Sequence, residues 1–164
     1  MKRLTIGVGA CTEILALLIA IAWADGELRD EEKEGVRGAA QVLNLPKELR
    51  DRLEAMLSKQ SGLDQVNLAE LSTRDGAFAF VAASWMTSID DKVDPKEEKM
   101  IDDVAHALNL SEEQRSELAV IAKGLVADSQ KAKNKFRWAD DVMSLFKAIP
   151  AKIYQEADIE VVFE

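Results

Sequence analysis

Two short segments concentrate the carboxylates of this chain. Residues 25–34 carry Asp25, Glu27, Asp30, Glu31, Glu32 and Glu34, and residues 90–98 carry Asp90, Asp91, Asp94, Glu97 and Glu98. Carboxylates at a loop-to-helix junction have two physical uses. One or two of them cap the helix and complement its positive end, worth about 0.3–1 kcal/mol each. A larger group supplies hard oxygen ligands for Ca2+ or Mg2+, which would also relieve the repulsion between crowded like charges. The number present exceeds what capping needs, and this excess motivates the metal reading. Neither segment follows the EF-hand order of ligands. Counting from Asp25, the fifth position is Arg29 and the sixth, where glycine is required, is Asp30; counting from Asp90, the third position is Lys92.

Other chemistry is sparse. Cys11 is the single cysteine, which excludes an internal disulfide or a thiolate cluster. His106 is the single histidine and has no nucleophile beside it in a recognisable motif, so it reads as a partly exposed helical residue and the chain does not read as an enzyme. A carboxylate-only hydrolase ranks last, because no general-base pattern stands out. With 21 basic and 30 acidic residues the formal charge is −9, which argues against nucleic acid and against an anionic membrane surface as partners. The basic run Lys131, Lys133, Lys135 and Arg137, interleaved with Phe136 and Trp138, reads as a solvated helix start or linker with inward aromatics.

The elements that must position the acids repeat. Residues 25–53 align without a gap on residues 90–118, an offset of 65. Identities are Asp25/Asp90, Glu32/Glu97, Ala40/Ala105, Leu43/Leu108, Asn44/Asn109, Leu45/Leu110, Glu48/Glu113, Arg50/Arg115 and Leu53/Leu118. An apolar segment precedes each copy, Ile14–Ala24 and Phe78–Ile89. Helix, acidic loop, helix, short turn, helix therefore occurs twice, the pattern of a pseudo-twofold domain rather than an open solenoid. Glu13 breaks the first apolar run, leaving eleven residues where a bilayer span needs about 20. The segment thus reads as a core helix rather than a membrane anchor or a cleaved signal, although Met1-Lys2-Arg3 and Ala22-Trp23-Ala24 have some signal character. Trp23 and Trp85 each precede an acidic segment and read as core at helical spacing.

Local signals fix several boundaries. Ile101, Val104, Ala105 and Leu108 form one apolar helical face. Pro95 suits a first helical position, with Asp94 before it as cap. Ser111-Glu112-Glu113-Gln114 is a capping box, and Ser72 or Thr73 caps another helix. Asn67–Leu71 predicts one short helix. Ile159–Phe163 has strand composition, but a lone strand has no sheet to join. The 164 residues, 48% hydrophobic with 8 Gly and 3 Pro, predict one all-α domain, a compact bundle of seven or eight helices. Its halves are about 11–60 and 74–125, with a C-terminal extension at 128–164.

The segment Asp25-Gly26-Glu27-Leu28-Arg29-Asp30-Glu31-Glu32-Lys33, following an apolar helix, resembles the tellurite-resistance TerB family, which is related to the N-terminal domain of DjlA-type co-chaperones. Asp90-Asp91-Lys92-Val93-Asp94-Pro95-Lys96-Glu97-Glu98-Lys99 resembles its second acidic motif, with Asp91 where the pattern has glycine. The likeness covers roughly residues 11–125. It implies an all-helical cytoplasmic protein tied to metal or chemical stress, with Asp25, Glu32, Asp90 and Glu97 as ligands of a divalent cation and Glu31 and Asp94 as further candidates. His106 is followed by Ala107 rather than Pro-Asp, so a J-domain and its co-chaperone activity are not implied. The alternative is a protein–protein interaction module without metal, with an exposed apolar patch near Phe136 and Trp138.

Overall fold

The computed structural model describes residues 2–25, 28, 30–88, 95–130, 148–149 and 159–163. These are mostly helical. In order they form strand β1 (Lys2–Ile6), helices α1 (Val8–Ala22), α2 (Asp30–Val42), α3 (Lys47–Ser58), α4 (Thr73–Ser88), α5 (Pro95–Ala107) and α6 (Glu112–Gln130), and strand β2 (Ile159–Phe163). Short 3-10 turns lie at Trp23–Asp25, Leu63–Gln65 and Leu68–Glu70, the last inside the segment where a short helix is predicted.

Helix α1 is the centre of the molecule. Every residue from Cys11 to Ile21 is buried, so the apolar run is a core helix, packed against α3 and α4. Among the described residues no helix is long and apolar enough to cross a membrane. Helix α4 packs in turn on α6 and α5. The flanking helices are amphipathic. In α2 and its following turn, Val36, Ala39, Ala40 and Leu43 fall at helical spacing and are all buried. In α5 the predicted face is buried at Val104 and Ala105 and partly buried at Ile101 and Leu108.

The helix ends follow local chemistry. The Asp75 amide donates to Ser72 Oγ at 3.1 Å, making Ser72 the cap of α4. The capping box of α6 is complete: the Gln114 amide donates to Ser111 Oγ at 3.1 Å and the Ser111 amide to Gln114 Oε1 at 3.0 Å. Helices α2 and α5 end in the same motif. Asn44 and Asn109 have φ of 58° and 57°. The amides of Asn44 and Leu45 donate to Gln41 and Ala40, and those of Asn109 and Leu110 to His106 and Ala105. This is the Schellman arrangement with asparagine in the left-handed position. Replacing Asn44 or Asn109 by alanine is expected to cost about 1 kcal/mol each from left-handed strain, with glycine nearly neutral. Urea unfolding of the two variants measures it.

Helices α1, α2 and α3 start at Val8, Asp30 and Lys47; α4, α5 and α6 start at Thr73, Pro95 and Glu112, each 65 residues later. The contacts α1–α3 and α4–α6 correspond under this shift.

One expectation is corrected. Ile159–Phe163 does extend as a strand, and it has a partner. It pairs in parallel with Lys2–Ile6, from Lys2 opposite Ile159 to Ile6 opposite Phe163. The charged opening Lys2-Arg3 concealed β1 as a strand. Yet Ile6 is buried and Leu4 packs on the core, while Arg3 and Thr5 are exposed, the period-2 alternation of a half-buried strand.

Candidate functional site

The first acidic segment begins where α1 ends. The turn Trp23–Asp25 packs against both α1 and α5, so the start of that segment lies beside the helix that follows the second one. Trp23 is anchored there by its indole Nε1, which donates to the Met56 carbonyl at 2.9 Å at the end of α3. Trp85 is buried in the core. Glu97 lies in the first turn of α5 and is partly buried. Pro95 opens α5, as its fixed φ favours. Of the remaining candidates, Asp90 and Asp94 lie outside the described residues. Asp25 closes the 3-10 turn, and Glu31 and Glu32 lie in the first turn of α2; the positions of their side chains are likewise outside what is described. Among the described residues no three His, Cys, Asp or Glu side chains come together as metal ligands would. The segment with Lys131 to Trp138 also lies outside the described residues. His106 is exposed on α5, as its position off the apolar face predicts.

The most consequential polar group is one the composition did not assign. Glu13, whose side chain is only 5% exposed, lies within the apolar helix α1. Arg52 of α3 binds it with both terminal nitrogens, one at 2.8 Å from Oε1, and the Asn67 amide donates to Oε1 at 2.7 Å. Arg52 also donates to the Gln65 carbonyl at 2.9 Å. Donating to the Glu13 carboxylate raises the Arg52 pKa above its ordinary value. The pair fastens α3 and the loop after it to α1. The signal was the charge inside the apolar run, because a buried glutamate requires a cationic or hydrogen-bonding partner. In the 65-residue alignment Phe78 stands where Glu13 does, and Phe78 is also buried.

Cys11 is fully buried, and burial pushes its thiol from 9.0 up to about 12, with Asp75 adding to the effect. Above pH 9 the unfolded chain therefore releases a proton that the folded chain keeps. Stability is expected to fall between about pH 9 and 12, by up to about 1.4 kcal/mol per pH unit from this thiol. Comparison with Cys11→Ala, which removes that part of the slope, isolates it.

A cleft of about 400 Å³ lies between α2 and α3. Its floor is Val36, Ala40, Leu53 and Leu57, all buried. Its rim is charged. Arg37 donates to Glu54 at 2.6 Å and also pairs with Glu34, and the Glu54 hydrogen bond is the main cause of its raised pKa. Lys47 pairs with Asp51 at 2.9 Å. Arg50 has no acidic partner among the described residues.

Fold and site together define a mostly helical protein built around one buried helix, with an internal ion pair and two acid-rich helix entries. No family model, curated protein or solved structure matches this chain.

Proposed function

We propose that the chain is a TerB-like domain that binds a divalent cation, Ca2+ or Mg2+, in a cytoplasmic response to metal or chemical stress. The ligands are Asp25, Glu32, Asp90 and Glu97, with Glu31 and Asp94 beside them. It acts by binding rather than by catalysis. In this reading the full bundle has seven or eight helices, and its halves are related by a pseudo-twofold axis that brings the acidic entries to one corner.

The observation that carries the reading is the packing of Trp23–Asp25 against α5. It sets the first acidic entry beside the helix whose opening turn holds Glu97. The equal 65-residue spacing of the helix starts and the matching Asn44 and Asn109 turns support the same conclusion. The chemistry of the donor set fits: carboxylates are the ligands hard cations choose, with backbone carbonyls and water completing the shell.

Thermal unfolding tests it. Free cation at about 100 times its Kd stabilises a folded protein by about 2.7 kcal/mol. At this chain length that corresponds to roughly 5–10 °C in Tm. The Asp25→Asn and Asp90→Asn variants are expected to lose the gain, and chelation to reverse it in the parent. A Tm indifferent to millimolar Ca2+ and Mg2+ defeats the proposal.

A further inference from the structure

Helices α3 and α6 start 65 residues apart, and their aligned charges agree at Glu48/Glu113 and Arg50/Arg115 but change sign at two positions. Lys47 and Arg52 of α3 align with Glu112 and Glu117 of α6. The exposed side of α6 carries Glu113, Glu117, Val120 and Gly124, which at spacings of four, three and four form one stripe along the helix. Val120 is 68% exposed, one of two large hydrophobic side chains so placed among the described residues. Neither Glu113 nor Glu117 has an ion-pair partner among the described residues. Around Gly124 the space is open, so nothing obstructs the approach of a neighbour.

We propose that the α2–α3 cleft receives this stripe from a second copy of the chain. The two surfaces match in three respects. The cleft has an apolar floor, and the stripe offers an exposed valine. At one end of the cleft stand Lys47, which pairs with Asp51, and Arg50, which has no acidic partner among the described residues, and one end of the stripe holds Glu113 and Glu117, also without an ion-pair partner among the described residues. From Lys47 to Leu57 and from Glu113 to Gly124 the helical rise is about 15–17 Å in each case. With α6 of the second copy parallel to α3, Glu113 and Glu117 meet Lys47 and Arg50, Val120 meets the floor, and Lys123 lies toward Glu54. This is the helix-in-groove mode of recognition. Because cleft and stripe are different surfaces, the contact is heterologous, and copies add head to tail into rings or open chains. The small contact area makes the association weak and salt-sensitive.

Sedimentation across protein concentrations, at low and high salt, reads the outcome. The parent chain is expected to associate with a Kd of about 1 mM or tighter, and less so in high salt. Arg50→Glu, Glu117→Lys and Val120→Glu each lie at the surface and are expected to weaken association by about tenfold or more, with circular dichroism and Tm unchanged. An equimolar mixture of the Arg50→Glu and Glu117→Lys proteins is expected to regain association, because each restores the other's charge complement. A parent chain that stays monomeric up to about 1 mM overturns the proposal. So does association that all three substitutions leave intact, or a mixture no more associated than its components.

Discussion

Arg52→Ala is expected to be among the most destabilising single changes, at about 3–5 kcal/mol, because it strands Glu13 inside α1 without its cation. Against a typical total of about 5–15 kcal/mol, such a loss brings the domain near its unfolding threshold. Arg52 is itself 32% exposed, so water screens part of the pair and the lower end of the range applies. Urea unfolding measures the loss. Removing both charges should behave differently. Glu13→Leu with Arg52→Met exchanges an ion pair for hydrocarbon of similar volume, which ranges from neutral to stabilising by about 1–4 kcal/mol. The Asn67 amide loses its acceptor in that variant, but Asn67 is exposed and water replaces the carboxylate. In the 65-residue sequence alignment the buried Phe78 stands opposite Glu13, an apolar side chain at the aligned place. A single Arg52→Ala variant within about 1 kcal/mol of the parent contradicts this account of the pair.

Trp85→Ala is expected to cost about 3–5 kcal/mol, since Trp85 is among the largest fully buried side chains and its removal leaves a cavity that α4 cannot close. The comparison that gives this number meaning is Trp23→Phe. Trp23 is partly exposed and contributes one hydrogen bond to the Met56 carbonyl, so its loss is expected near 1 kcal/mol. Equal effects at the two positions would contradict the fully buried place of Trp85 in the core.

Helix boundaries were legible wherever backbone chemistry is local. Pro95 opening α5, the Ser111–Gln114 box and the breaks at Asn44 and Asn109 depend on residues within one turn of each other, so they can be read from neighbours in the sequence. What depends on distant partners was not legible. Glu13 is satisfied by a residue 39 positions away and an amide 54 positions away, and neither has a sequence signature. Strand β1 makes sense only beside β2, at the other end of the chain. The candidate site sits between these cases. Its acids are conspicuous in composition, but whether they converge depends on tertiary placement. The described residues supply only the Trp23–Asp25 turn beside α5 and Glu97 in its first turn.

The parallel union of Lys2–Ile6 with Ile159–Phe163 bears on how this molecule is made. On the ribosome β1 is made before the six described helices and waits through their synthesis before its only strand partner among the described residues exists. The helical hairpins, rich in near-neighbour contacts, can collapse during that interval, whereas joining the two strands demands closure across all the described helices between them. The strand pair is thus expected to fasten after the helices, and a nascent chain arrested before residue 159 lacks the strand that pairs with β1.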